Sequence, residues 1–487
     1  MMRGSFDFEK EQHFALAVKT RAFKGLRVHL VGIAGVGMSR LALILARLGC
    51  RVSGSDLHPE RNPFCDELAR FISLQGYFDS AIYAGHSANN LPSEESVVVF
   101  SSAVSVDNPE LVAARKRGLK VLRRGEMLAE LSRLFTSIVV CGAHGKTSTT
   151  ALLYRALDSE RISPSLYLGG ALVNEKRAWD KWDPDLKKAN LGEVFVVESD
   201  ESDRSFLETH PTFAVVTNID HEHLDSYDSF EELTECFLEF INRVPFYGKA
   251  ILGSDCKVVR SLYPRIRCGY VTYGLGSEAD WQARNIKIDQ GESSFEVWHL
   301  NQYCGSVKLP LVGEHMVCNS LATFALGSVI GVSFDEIGKR LEGFAGVHRR
   351  CEVLGKFAGA HLLSDYAHHP VEVSATLAGL RRAWGDRVHL VFQPHRYSRT
   401  KACWEDYLTC FRDARSLTML DIYSAGEPAE AGIDAVRLEQ EIDHPCKRYV
   451  ADHSDLKDVL SEIVSEDEVV VCMGAGSIDK VARDLLT

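Results

Sequence analysis

Short apolar runs recur along the chain, each ending in a glycine-rich or acidic turn and followed by a stretch with helical spacing. LRVHLVGI is the first such run, and MSRLALILARLG follows it as an amphipathic helix expected to stop at Gly49. RVSGSD, SVVVFSSAV and LKVLRR continue the strand series, with a helix opening at NPELVAARKRG. A second series runs through TSIVVCGAHGKT, GEVFVVESDES, TFAVVTNIDHEHLD and GKAILGSD. Residues 281–311 alternate in the manner of antiparallel strands, and HMVCNSLATFALGSVI and SFDEIGKRLEGF read as helices. A third series comprises AHLLSDYAH, RVHLVFQPHR, SLTMLDIY and DEVVVCMGAG, each with a helix after it. Alternation of this kind predicts an α/β protein built on mostly parallel sheets with crossover helices.

A chain of 487 residues is too long for one core, so two or three domains are expected. The hydrophobic fraction is 45% and the charged fraction 25%, as in ordinary globular proteins. A net charge of −12 argues against a broad nucleic-acid surface. No apolar run approaches the roughly 18 residues of a membrane span. The first twenty residues carry scattered charges and no apolar core, so they do not read as a signal peptide. The thirteen cysteines include no C-x-x-C pair and read as reduced thiols. The expected location is cytoplasmic.

Several turns between these elements carry candidate chemistry. VGIAGVGMS sets Gly32, Gly35 and Gly37 between a strand and a helix, where glycines let the backbone approach a diphosphate and the helix start offers free N–H groups. Asp56 ends the second strand, where a ribose contact would sit. GAHGKTS, from Gly142 to Ser148, keeps the last glycine, lysine and threonine of a phosphate loop, with Val140 at the position of the first glycine. Backbone N–H groups there can hold phosphate oxygens, Lys146 can reach the β- and γ-phosphates, and the Thr147 hydroxyl can face Mg²⁺. A capped helix with an exposed lysine is the competing reading.

VVESDESD crowds Glu198, Asp200, Glu201 and Asp203 at a strand end. That is either a solvated acidic turn or a Mg²⁺ site, and strand carboxyl ends are where open α/β sheets form their crevice. The next strand end offers His223 beside acidic neighbours. Later come Arg349 and Arg350 in VHRRCE, Asp365, His368 and His369 in SDYAHHP, and His395, Arg396 and Arg399 in FQPHRYSRT. Arginine forks suit carboxylates and phosphates, and three basic residues this close after a strand form an anion pocket more readily than a solvated face, which is the competing reading.

In this order the motifs VGIAGVGMS, SGSD, FSSAV, GAHGKT, ESDESDRSF, VTNIDHEHLD, GEHMVCN, HRR, SDYAHHP, FQPHRYSRT, DIYSAGE and GAGSI resemble the Mur ligases, ATP-dependent amide ligases of peptidoglycan precursor synthesis. The resemblance runs from about Leu26 to the end of the chain. It implies three domains: a Rossmann-like UDP-binding domain over 23–124, a phosphate-loop ATPase domain with a mostly parallel sheet over 125–345, and a C-terminal Rossmann-like domain over 346–487.

The activity implied is joining of L-alanine to the lactoyl carboxylate of UDP-N-acetylmuramate through an acyl phosphate, with ATP and Mg²⁺, in a monomer or homodimer without nucleic-acid or membrane partners. Domain closure would exclude water from the acyl phosphate. A family member that joins a preformed tripeptide, and a non-catalytic UDP-sugar and ATP-binding module, are the competing functions.

Carried over by resemblance, Gly142, Ala143, His144, Gly145, Lys146, Thr147, Ser148, Asn319, Arg350 and Asp365 would bind ATP. Thr147, Glu198 and His223 would hold Mg²⁺. Ala34, Gly35, Val36, Gly37, Asp56, His86 and Ser102 would bind the UDP portion. His368, His395, Arg396 and Arg399 would line the alanine site, and Lys146, Glu198, His223, His368 and Arg396 would carry catalysis. The chain departs from the family pattern at Ala34, Ala143, Glu222, Met316, Ser364 and Ala367, while the lysine, glutamate, histidine, second asparagine, arginine and aspartate remain.

Overall fold

The computed structural model describes residues 21–61, 65, 68–69, 81–159, 161–173, 194–221, 226–289 and 291–486. These fall into two compact units, one within Met1–Gly170 and Glu175–Thr272, the other within Ala171–Asn174 and Tyr273–Thr487.

The first unit begins with β1 (Arg27–Val31), a buried apolar strand. Gly32 turns the chain at φ +83 into helix α1 (Val36–Arg47), which is buried all round from Met38 to Ala46. The helix stops where Gly49 takes φ +87 and its N–H bonds the Ala46 carbonyl, as the sequence predicts. β2 (Arg51–Asp56), β3 (Ile82–Ala84), β4 (Val97–Phe100) and β5 (Lys120–Arg123) complete a sheet of order β3-β2-β1-β4-β5, parallel throughout. Helix α2 (Pro109–Lys116) starts on Asn108, whose side chain accepts the Glu110 N–H, with proline at the first turn. The strand order reverses between β1 and β4, so the Gly32–Gly35 turn and Ser102 share the switch-point crevice.

A second sheet of this unit runs β10 (Lys249–Gly253), β9 (Phe213–Val216), β6 (Thr136–Cys141), β8 (Val194–Glu198), β7 (Ser165–Tyr167). Its printed pairings are parallel. Helix α3 (Arg124–Ser132) precedes β6, and helix α4 (Lys146–Leu157) leaves its carboxyl end. The carboxyl ends of β6, β8 and β9 therefore carry the phosphate loop, the acidic turn and the TNID turn side by side.

In the second unit β12 (Trp281–Asp289), β13 (Glu292–His299) and β14 (Gln302–Leu309) form the antiparallel meander read from the alternation. Helix α5 (Glu314–Ile330) is buried almost all round, and α6 (Phe334–Glu342) opens with a Ser333–Glu336 capping box. A six-stranded sheet follows, β15-β16-β20-β17-β18-β19, with β15 (Glu352–Phe357) antiparallel at one edge. β16 (Ala360–Asp365), β17 (Val388–Phe392), β18 (Ser416–Met419), β19 (Lys447–Tyr449) and β20 (Val469–Met473) are parallel to one another. Helix α7 (Pro370–Trp384) packs its Val373, Leu377 and Leu380 into this sheet's core. The strands β3, β7, β15 and β19 are short or lie at edges, and none stands out as an apolar run.

Candidate active site

The loop after β6 is shaped by two left-handed glycines, Gly142 at φ +135 and Gly145 at φ +79. A Cβ on Gly142 would lie 2.2 Å from the Thr217 hydroxyl, so only glycine fits there. The TNID turn braces the loop. Asn218 accepts the His144 N–H at 2.8 Å through Oδ1 and donates to the His144 carbonyl at 3.0 Å through Nδ2. The Thr217 hydroxyl donates to the same carbonyl at 2.6 Å. No side chain caps α4, whose first-turn N–H groups face the loop as an anion site does.

Lys146 lies at the head of α4, largely buried. Its ammonium donates to the Gly142 carbonyl at 2.6 Å, to the Ala143 carbonyl at 3.2 Å and to both Glu201 oxygens at 2.8 and 3.0 Å. Burial alone would discharge it, but Glu201 and Asp200 more than offset that and hold its pKa above the ordinary lysine range. Burial pushes the Glu201 carboxyl upward against the same ammonium. The exposed-lysine reading of this motif is thereby excluded. The Thr147 hydroxyl donates to Glu198 Oε1 at 2.7 Å, and Gly169 N–H donates to Glu198 Oε2 at 2.6 Å.

These hard oxygen donors at a helix start suit Mg²⁺, and beside them Ser199 keeps a buried hydroxyl with no hydrogen-bond partner. Among the described residues no group of three histidine, cysteine or carboxylate side chains is placed to hold a metal alone. His223, expected among the ligands, lies outside the described residues, as does Glu222.

At the first sheet, Gly37 comes so close to Tyr167 and Arg124 that a Cβ would meet the Tyr167 hydroxyl at 2.8 Å. Asp56 accepts the N–H of Ala34 and of His58, each at 3.0 Å, so in this structure its carboxylate ties down the glycine turn. His86 bonds Ser55 at 2.9 Å. Ser102 lines a small pocket with Arg123, Arg124, Glu126 and Asp203.

In the second unit, residues 349–351 form a strained bend. Arg349 and Cys351 both take positive φ, and Asp365 pins the bend by accepting the Cys351 N–H at 2.7 Å and the Ala367 N–H at 2.7 Å. Arg349 and Arg350 stack over the Tyr366 ring, 4.6 and 5.1 Å from its centre. Asn319 sits in the second turn of α5, and Met316, one turn earlier, is buried in the core. Ala367 is core as well, and Ser364 donates to Asp479 at 2.7 Å.

The structure brings His368, His395, Arg396 and Arg399 together at the carboxyl ends of β16 and β17. The two imidazoles meet edge to face at 5.9 Å, His395 stacks on Tyr423, and Arg399 contacts His395 Nδ1 at 3.2 Å. Arg396 takes φ +68, fixed by its N–H to the Tyr423 carbonyl at 2.8 Å. Burial drives the pKa of His368 down to about 4, and burial with Arg399 and Arg396 does the same to His395. Both rings are therefore neutral bases near pH 7. Cys141 and Cys351, which flank the nucleotide motifs, are pushed well above the usual thiol range by burial, so neither is a thiolate nucleophile.

Reasoning from sequence missed Asn218 and Tyr167, and it did not single out Glu201 from its three acidic neighbours. The one sequence signal of Asn218 and Glu201 is position, after an apolar strand, and Tyr167 has none.

A phosphate loop with a buried lysine, a hydroxyl–carboxylate pair beside it, and a separate histidine–arginine cluster define a nucleotide-dependent group-transfer enzyme. Family models match residues 27–136 (Mur ligase family, catalytic domain), 140–327 (Mur ligase middle domain) and 349–476 (Mur ligase, glutamate ligase domain). The chain belongs to the Mur ligase family, and it is an ATP-dependent ligase with that family's three-domain architecture.

It is 42% identical over 465 residues to the UDP-N-acetylmuramate–L-alanine ligase of Endomicrobium trichonymphae, covering 95% of this chain and 99% of that one. It is 41% identical to the ligase of the same name from Trichlorobacter lovleyi, covering 94% and 98%. Among solved structures, the UDP-N-acetylmuramate-alanine ligase of Thermotoga maritima aligns with a TM-score of 0.74 at 25% identity, covering 95% and 98%. A murein peptide ligase from Psychrobacter arcticus shares the fold, with a TM-score of 0.63 at 23% identity. Among the described residues no helix is long and apolar enough to cross a membrane.

Proposed function

We propose that this chain joins L-alanine to the lactoyl carboxylate of UDP-N-acetylmuramate at the expense of ATP, in peptidoglycan precursor synthesis. The observation that carries the reading is the cradle of Lys146, Thr147 and Glu198 on a chain that matches L-alanine ligases over nearly its whole length. Proposed domain limits are 23–124, 125–345 and 346–487.

A carboxylate resists attack by an amine, so it is first converted to an acyl phosphate. Its oxygen displaces ADP from the γ-phosphorus of ATP. Lys146, kept protonated by Glu201, neutralises charge on the transferring phosphoryl group, exchanging Glu201 for phosphate oxygens. Thr147 and Glu198 would hold Mg²⁺, which when bound supplies further neutralisation of that charge.

The alanine nitrogen must attack as the free amine. His368 and His395, neutral at pH 7, add no positive charge beside that nitrogen, and Arg396 and Arg399 make the cluster attractive to the alanine carboxylate. The amine adds to the acyl carbon, the tetrahedral adduct expels phosphate, the surplus proton on nitrogen leaves with that phosphate, and the amide remains.

The test is phosphate release from ATP by the purified protein. Release that needs UDP-N-acetylmuramate and L-alanine together, and that stops on chelation of divalent cations, supports the reading. Release with a tripeptide in place of alanine would assign the chain to peptide joining instead, and no release under any combination would leave only nucleotide binding.

A further inference from the structure

Two stretches of the chain, residues 27–31 and 387–391, share the pentapeptide RVHLV. Each supplies the central histidine of a buried hydrogen-bonded relay. His29 pairs in register with Ser53 on β2, and its Nδ1 lies 2.8 Å from the Ser53 hydroxyl. His29 Nε2 lies 3.0 Å from Glu110 Oε2. His389 pairs in register with Ser416 on β18, with Nδ1 2.8 Å from Ser416 and Nε2 2.9 Å from Glu468 Oε2. A serine–histidine–carboxylate set suggests a hydrolytic triad, but Ser53 is 4% exposed and His29 and Glu110 are 0% exposed, so no substrate reaches it.

The two relays differ in where they lead. Glu468 turns back to the Ser465 N–H and to Arg415, at the amino ends of its strands. Glu110 leads to the carboxyl ends, where the crevice lies. Its Oε2 also accepts the Ser55 hydroxyl at 2.7 Å, and its Oε1 accepts the Ser87 N–H at 2.9 Å and the Asn90 amide at 2.7 Å. Ser55 in turn lies 2.9 Å from His86 Nδ1.

Proton counting fixes this chain. A carboxylate only accepts, so the single hydroxyl hydrogen of Ser55 is spent on Glu110. Toward His86, Ser55 can then only accept, and His86 Nδ1 must carry the hydrogen. Glu110 Oε1, 3.8 Å from the same nitrogen, favours that arrangement too. In its neutral form the ring keeps a bare Nε2, a hydrogen-bond acceptor. Burial alone would raise the Glu110 carboxyl, but the hydrogen bonds from His29, Ser55, Ser87 and Asn90 hold it down at about 2, so it stays an acceptor throughout the neutral range.

We propose that Glu110 is a positioning residue for the UDP-sugar site, acting through Ser55 to fix His86 as the Nδ1–H tautomer and so to offer its Nε2 to a hydrogen-bond donor on the uridine. This rests on the reading that His86 belongs to that site. The whole device spans the first sheet alone and touches neither the phosphate loop nor the histidine–arginine cluster.

The test uses the full chain with Glu110→Gln, Ser55→Ala, His86→Ala and, as control, Glu468→Gln. A glutamine can donate to Ser55, which frees the serine hydrogen for His86 Nδ1 and moves the ring hydrogen to Nε2. Glu110→Gln is expected to raise KM for UDP-N-acetylmuramate about tenfold, the scale of one lost hydrogen bond. It should leave kcat and KM for ATP within about twofold, as Ser55→Ala should, while Glu468→Gln shifts only the unfolding midpoint. Nitrogen NMR of His86 should show Nδ1–H in the parent and Nε2–H in Glu110→Gln. If His86→Ala raises that KM while Glu110→Gln changes neither KM nor tautomer, the positioning role is overturned and the site stands. If His86→Ala leaves KM unchanged, the placement of His86 in the site has failed. Equal rises in all three substrates' KM values on Glu110→Gln would mean a structural role only and would also overturn the proposal.

Discussion

Replacing Lys146 by alanine tests the phosphate cradle, and the structure separates its two consequences. The Lys146 side chain is 14% exposed and that of Glu201 2%, at 2.8 Å from each other. Truncation strands the Glu201 carboxylate in the interior, and breaking a buried pair from one side costs about 3–5 kcal/mol. The unfolding midpoint should therefore fall. Loss of the ammonium from the transferring phosphoryl group should lower turnover by roughly 10²–10³-fold or more.

A double variant, Lys146→Met with Glu201→Leu, removes both charges, and such a replacement of a buried pair is often neutral or stabilising. Glu201 has its backbone carbonyl engaged by the Tyr227 hydroxyl, a contact the leucine keeps. The double variant should regain the parent's unfolding midpoint while phosphate release stays abolished. UDP-N-acetylmuramate binding, measured by calorimetry, should persist in both, because the residues proposed for that site lie on the other sheet of the first unit. A folded Lys146→Ala protein with near-normal turnover, or recovery of turnover in the double variant, would refute the assignment of Lys146.

Gly142→Ala forces a Cβ to within 2.2 Å of the Thr217 hydroxyl at a backbone angle alanine avoids, so nucleotide binding should be lost while the circular dichroism spectrum is kept. Arg396→Ala should raise KM for alanine far more than the Kd for UDP-N-acetylmuramate; an equal loss of both would place that arginine elsewhere. His315, His368 and His395 are each held at about 4, below the ordinary histidine value, by burial. Between about pH 6.5 and 4 the unfolded chain takes up protons that the folded chain refuses, so stability is full above that window and is lost as pH falls through it. The unfolding midpoint should drop between pH 7 and pH 5, and less so in His368→Gln, which removes one of the three groups.

Much of this protein was legible in its one-dimensional pattern because the pattern is local. An apolar strand, a glycine turn and a helix are set by neighbours a few residues apart, so β1 with α1 and β6 with α4 were placed correctly, and the antiparallel meander over residues 281–311 showed in its alternation. The edge strands β3, β7, β15 and β19 were not legible, because none carries an apolar run that stands out and each is defined by the partner it pairs with.

The roles of individual polar residues lay further out of reach. Position alone could not say which of Glu198, Asp200, Glu201 and Asp203 would hold Lys146, since Glu201 is 55 residues away from it and is selected by how β6 and β8 align. Asn218 likewise looks like an ordinary turn residue until the fold sets it against the backbone of residue 144, and only the fold shows Asp365 pinning the backbone of residue 351. Sequence by itself determined the apolar strands, the helices after them and the glycine and acidic turns between them, because those follow from short-range periodicity and backbone freedom. Only the tertiary structure decided which charges meet, because burial and partner geometry arise when strands distant in the chain come to lie side by side.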